Sequence, residues 1–543
     1  MTAVATAPAR KTRLGIVKKI SAGSALALLS YLIYAYLALT LPQVVDNPFI
    51  CERSSLAAAV SNVAFGMQLG TLDSEVLAYY LKTMDEPLRE LLDETAAAVP
   101  RYQDAPLPGP VVKTTQDGNG AGYLLVLTVA FRLFGLHVWA LPLMMLTLMG
   151  VSTLALRRRF SDWSASIIIL YFTILTVLIF SPLVWNPNYA RNIPIGGIRY
   201  FSLVTILPTF HMLLELFGPE MQPARRRNLW LLGVQAVILV VGAMVRGSAI
   251  PLLGGIGLVW LVLAVRYRRV AAQRWLLVRQ ALTVGLTGLV IVGVMAASLP
   301  REYLTEGRFG TVIWHRITLS LGVDKSFPWP GVAELFDCKK YIPEGIQPGM
   351  PDTNGHCIWL DYVVKHHIPL GSIGDKTYGG LYDVSLRDAF FEIARMYPGK
   401  VLTAFVYYKP RWIVQAIAST LRTNFAGDPA RTVDHTVHFP ERGVIPYSPV
   451  AVGLLIAALA ICLFNFFMGA RASLPTIGRV AGVASLGIAF TIPSYIAVWA
   501  LPYTAADLLF YLLFCIGFAA GSGVMSARWA LDRLISAQAV RGA

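Results

Sequence analysis

Arg191 and Arg199 bracket the run Asn192-Ile193-Pro194-Ile195-Gly196-Gly197-Ile198, and Arg246 precedes Gly247-Ser248. A guanidinium presents a planar fork that matches phosphate oxygens. The competing role for these cations is a headgroup contact or an ion pair to an acidic loop. Carboxylates offer complementary chemistry, since one held near a cavity can take a proton from a hydroxyl. Asp46 stands in Val45-Asp46-Asn47-Pro48 with Glu52 close behind it. Asp-Asn-Pro is also a turn sequence. Asp117 stands in Gln116-Asp117-Gly118-Asn119-Gly120, a tight turn whose glycines admit positive φ. A turn and an acid at a cavity mouth are compatible there. Asp73-Ser74-Glu75 has the look of a metal-binding pair, but that spacing is frequent by chance. No zinc spacing occurs among the cysteines. The sequence specifies no cofactor, names no metal ligand and leaves a divalent metal open.

These residues need a scaffold, and composition says which kind. Hydrophobic residues make up 56% of the chain and charged residues 14%. Soluble domains carry about 25% charge, so an ordinary soluble fold is excluded. So is disorder, which needs low apolar content. A bilayer core about 30 Å thick asks for roughly 20 apolar residues per helix. Ten runs qualify: Ile20–Leu41, Val138–Leu156, Ser164–Trp185, Phe201–Phe217, Leu229–Val245, Ile250–Val265, one ending near Leu299, Val450–Met468, Val480–Leu501 and Ala505–Met525. The net charge of +15 could suggest nucleic acid. Its distribution argues otherwise, because Arg157-Arg158-Arg159, Arg225-Arg226-Arg227 and Arg266–Arg279 fall in alternate loops. By the positive-inside rule those loops and both termini are cytoplasmic. No nucleic-acid partner is expected.

The expected fold is therefore an all-α polytopic membrane protein with two large outer segments. Its divisions are 1–41 (cytoplasmic start and first span), 42–137 (first outer loop), 138–299 (transmembrane core), 300–449 (second outer domain) and 450–543 (last spans and cytoplasmic tail). In the first outer loop, an amphipathic helix is expected from Ser54 to Met67 and another from Asp85. Tyr123–Phe134 is too short to span and reads as an interface-lying helix. In the second, Asp383–Tyr397 reads as an amphipathic helix. Val401–Thr420 carries Lys409 and Arg411 mid-run, which are expensive in lipid, so it reads as interfacial or re-entrant. Cys338 and Cys357 could close a loop, worth about 3 kcal/mol; free buried thiols are the other reading. Trp314-His315-Arg316, His356 and His366-His367 read as hydrogen-bonded structural histidines, and His211 as packed between helices. Phe327-Pro328-Trp329-Pro330 and Tyr407-Tyr408 suit the lipid interface or sugar stacking.

The stretch Asp117–Phe160, DGNGAGYLLVLTVAFRLFGLHVWALPLMMLTLMGVSTLALRRRF, resembles a recurring segment of bacterial GT-C membrane glycosyltransferases. That superfamily includes protein O-mannosyltransferases and aminoarabinose lipid A transferases. In it a polar loop leads to an interfacial helix with a "FRLFG"-like turn, here Phe131–Gly135, then a span and a basic cluster. The resemblance implies a GT-C-like fold in the plasma (inner) membrane. It also implies inverting sugar transfer on the outer face, from a polyprenyl-phosphate sugar donor to a lipid, glycan or protein acceptor. An acid of the first outer loop would be catalytic: Asp46 by position, with Glu52 its nearest rival and Asp117 a further candidate. Arg191, Arg199 and Arg246 would hold the substrate phosphate, and membrane lipids would surround the spans. A transporter or flippase of lipid-linked substrates is the alternative, but the chain has no clear repeat and few mid-span acids.

Overall fold

The computed structural model describes residues 50–73, 111–113, 121–137, 140–160, 201–217, 229–245, 250–299, 313–324, 326–336, 351–367 and 380–411. It also describes helical positions at 25, 28, 29, 31–33, 35, 168, 169, 172, 531 and 535. These residues are predominantly helical, as an all-α chain requires. One addition is a small antiparallel ribbon of β1 (Thr71–Asp73) and β2 (Val111–Lys113), with Leu72 opposite Val112.

The first packed body begins with α1 (Ile50–Phe65) and α2 (Ala121–Phe134). Leu56, Ala57, Ala58, Ala59, Val60, Ser61 and Asn62 are buried in succession. The amphipathic face expected for this run is absent, because small alanines let neighbours close around the whole helix. Arg132 Nη2 near the end of α2 donates to Asn62 Oδ1 at 2.9 Å. Gly135 then stops the helix at φ 86°, its N–H bonded to Phe131 O at 2.9 Å. A left-handed glycine just past a helix end is the usual stop. It turns the chain into α3 (Ala140–Arg159), an apolar run closed by three arginines.

Next come α4 (Ser202–Phe217), α5 (Leu229–Val245), α6 (Ile250–Arg266) and α7 (Ala271–Ser298). They occupy the fourth to seventh expected runs, and α3 the second. By length and composition α3 and the Arg274–Ser298 part of α7 can cross a membrane. The shorter α4, α5 and α6 are also apolar; 17 residues rise about 25 Å. Helix α7 keeps little of its apolar surface inside: Leu282, Leu286, Leu289, Val290 and Val294 are all exposed. Such a surface suits lipid rather than water. In the first run, Tyr31 Oη donates to Leu146 O of α3 at 3.0 Å. The last three expected spans lie outside the described residues.

The second body is built from α8 (Ile313–Leu319), a 3₁₀ turn (Ser320–Val323), α9 (Trp329–Leu335), α10 (Pro351–Lys365), α11 (Gly380–Met396) and α12 (Pro398–Thr403). A π turn, Ala404–Tyr408, follows α12. Trp359, Tyr382, Leu386 and Ile393 form its core. Helix α11 matches the expected amphipathic segment. Phe327 and Trp329 lie in this core, their rings 5.1 Å apart. That corrects the expectation of an interface or sugar platform there: both rings are consumed by packing. Cys357 is disulfide-bonded, while Cys338 lies outside the described residues. The Cys357 Sγ sits 3.8 Å from Phe336 O, a contact rather than a hydrogen bond, since a disulfide sulfur carries no proton.

Candidate functional site

Two ends of the first body have different chemistry. At one end, the start of α2 meets the end of α5 backbone to backbone. A Cβ on Gly122 would lie 2.5 Å from Met244 C and Val245 N. Only a residue without a side chain allows that approach. Asp117 precedes Gly122 by five residues in sequence, and Arg246 directly follows Val245. Asp117 and Arg246 themselves lie outside the described residues, as do Asp46, Arg191 and Arg199. Glu52 is in the first turn of α1, and its side chain is outside what is described.

The other end is held by a buried polar network that crosses four helices. Arg159 of α3 pairs with Glu215 of α4: Nη2 donates to Oε2 at 3.1 Å, and Nε donates to Oε1. Gln280 Nε2 of α7 donates to Glu215 O at 3.2 Å. Ser152 Oγ donates to Gln235 Oε1 at 2.7 Å, and Gln235 Nε2 returns to Ser152 O at 2.9 Å. The same Nε2 lies 3.2 Å from His211 Nδ1. An amide nitrogen only donates, so Nδ1 accepts and the ring proton belongs on Nε2. That nitrogen is 3.8 Å from Glu215 Oε1. Phe160 packs edge-on to the His211 ring at 5.3 Å. His211 is therefore packed between helices, as its sequence context indicates, and the network fixes its tautomer.

This end also collects the arginines. Arg158 lies 5.4 Å over the Trp230 ring at the start of α5, and Trp260 Nε1 near the end of α6 donates to Leu277 O of α7. The ends of α3, α4 and α6 thus meet the starts of α5 and α7. The arginines that close α3 and those at the α6–α7 junction thus lie at one pole of the bundle. Sequence reasoning missed Ser152, Gln235 and Gln280. Their available signal was a lone polar residue within an apolar run.

In the second body, His315 N donates to Asp383 Oδ1 at 3.0 Å, and His315 Nδ1 lies 2.8 Å from Tyr382 Oη. This ties α8 to α11, so His315 is hydrogen-bonded structure. His366 lies on Tyr362 with ring centroids 4.1 Å apart. The His356 side chain is outside what is described. Among the described residues no three His, Cys, Asp or Glu side chains gather in a way that could hold a metal.

No protein-family model and no curated protein matches the chain. Among solved structures it is similar to ArnT from Cupriavidus metallidurans in the apo state. The identity is 15% over 92% of this chain and 76% of that one, with a TM-score of 0.28. Against ArnT from the same organism bound to undecaprenyl phosphate the identity is 14% over 92% and 77%, with a TM-score of 0.29. Likeness at that level leaves the reading to this chain's own residues.

Proposed function

We propose that the chain is a multi-pass membrane glycosyltransferase of the GT-C kind. It moves a sugar from a polyprenyl-phosphate donor to a lipid, glycan or protein acceptor at the outer face of the plasma membrane. The observation that carries this is the meeting of Gly122 with Met244 and Val245. It supports the reading because covalent connectivity tethers an acid, Asp117, and a cation, Arg246, to two helix ends that touch. Five residues reach at most about 18 Å. The contact falls at the pole away from the basic clusters, where the positive-inside rule puts the outer surface. The segment around it also follows the order the resemblance implies: a helix to Phe134, a glycine turn and an apolar helix ending in arginines.

The reaction is a single displacement. The acceptor oxygen forms a bond to the anomeric carbon as that carbon's bond to the phosphate oxygen breaks. The acceptor proton passes to a carboxylate, for which Asp46 is the first choice and Glu52 and Asp117 the alternatives. Polyprenyl phosphate leaves with both bonding electrons, its charge met by Arg246, Arg199 and Arg191. Apolar helix surfaces such as α7 guide the prenyl tail.

Purified protein given radiolabelled polyprenyl-phosphate sugar and a membrane extract as acceptor tests this. Wild type transfers label, and Asp46→Asn lowers turnover by about 10²–10⁴-fold, the range for loss of a general base. Full activity in Asp46→Asn removes that residue from the role. Transport by reconstituted vesicles without a transfer product replaces the enzyme with a transporter.

A further inference from the structure

The segment from Pro398 to Arg411 is inside out. Leu402 is 65% and Val406 68% exposed, with Tyr407 exposed beside them, whereas Lys409 is 1% exposed. Water selects the reverse, with lysine outside and leucine within. Leu402 and Val406 are four residues apart and form one stripe. In an unbroken α-helix Lys409, seven residues after Leu402, would fall on that stripe. The π turn prevents this. Lys409 N–H bonds Ala404 O, five residues back, and the turn takes up an extra residue. The rotation carries the lysine inward, its Nζ 3.5 Å over the Phe405 ring. The outward stripe is thus cleared of charge.

The flanks point to what covers it. From Ile393 to Gly427 the chain has no Asp or Glu, but holds Arg395, Lys400, Arg411 and Arg422 besides the buried Lys409. Arg395 and Lys400 are exposed, as are Phe391 and Met396 at the end of α11. An apolar stripe rimmed by cations matches the boundary between acyl chains and anionic headgroups. A second protein copy would have to place acidic groups against this rim, and the 35 residues from Ile393 to Gly427 hold none, the nearest being Glu392 and Asp388 on α11.

We propose that Leu402, Val406 and Tyr407 rest in the acyl–headgroup boundary of an anionic bilayer and anchor the second body to the surface of the chain's own membrane. This rests on the membrane reading of the helices and not on the assignment of a catalytic acid. The test places the photoreactive residue p-benzoylphenylalanine at position 402, 406 or 388 in the full-length protein. Each variant is reconstituted in vesicles of phosphatidylcholine and phosphatidylglycerol and irradiated. Lipid adducts at 402 and 406, lost at the exposed Asp388 position, are expected. Adducts to protein at 402 and 406 would mean a second copy or another part of the chain covers the stripe, and would overturn the proposal. So would no adduct above the level at 388. Sugar transfer by the same vesicles is read separately, so failure of the anchor and failure of the enzyme reading are distinguishable.

Discussion

Arg159 and Lys409 are basic side chains with little exposure, and they are accommodated in opposite ways. Arg159 keeps its charge under all ordinary conditions. The first body answers with a carboxylate, Glu215, which is itself tied to α7 through its backbone carbonyl. Lys409 faces the ring of Phe405. A desolvated cation–π contact is worth on the order of 2 kcal/mol, less than the cost of burying an ammonium. Burial therefore wins and pushes the Lys409 amine down to about 6. At neutral pH it is largely uncharged, and its N–H groups face the ring. Arginine keeps its charge and is matched here by a carboxylate, whereas a buried lysine shifts its pKa readily.

The largest effect should come from breaking the first arrangement. Glu215→Ala leaves Arg159 buried without its carboxylate and should destabilise the protein by about 3–5 kcal/mol. Thermal unfolding in detergent measures this. Replacing both partners, Arg159→Met with Glu215→Leu, should recover most of the loss, since paired removal leaves no orphan charge. If the double variant is no better than the single one, the ion pair has another role.

Lys409→Met should be mild by contrast, within about 1.5 kcal/mol, because the methionine fills a similar volume. Its signature lies in pH. The folded pKa is depressed to about 6 from 10.5. Between those values the unfolded chain holds a proton that the folded chain lacks, so this residue makes stability rise with pH across that window. Below about pH 6 both states are protonated and the burial penalty is complete. Unfolding midpoints between pH 6 and 9 should climb in wild type and climb less in Lys409→Met; equal slopes would show that Lys409 stays charged.

The smallest effect sets the baseline. Lys365 Nζ, itself exposed, lies 2.7 Å from Oδ2 of Asp361, a buried carboxylate four residues earlier on α10. Lys365→Ala should cost about 1 kcal/mol, the upper end for surface pairs, because the ammonium stays in water while Asp361 is buried. A larger loss in the same unfolding assay would narrow the contrast between buried and exposed cations.

The helices were legible because length and apolarity are properties of contiguous residues. Leu229–Val245 is helical over the run its composition marks. The glycine turn at Gly135 was legible through the resemblance of Phe131–Gly135, and a helix stop is a local feature. The Gln235–Ser152 bond was not, because it joins residues 83 positions apart. The Phe327–Trp329 pair was misread because aromatic clusters look alike in a core and at an interface. Of the candidate site, only residue types could be read from the sequence, and the structure added the contact at Gly122 beside two of their segments.

By itself the sequence determined an apolar helical chain, its alternating basic clusters and the turns between helices, since each follows from local composition. Only the tertiary structure decided that Arg159 pairs with Glu215, that α2 meets α5 through a glycine, and that Lys409 faces inward. Each of these depends on which surfaces touch, or on a shift of hydrogen-bond register within a helix. Neither is written in the order of residue types.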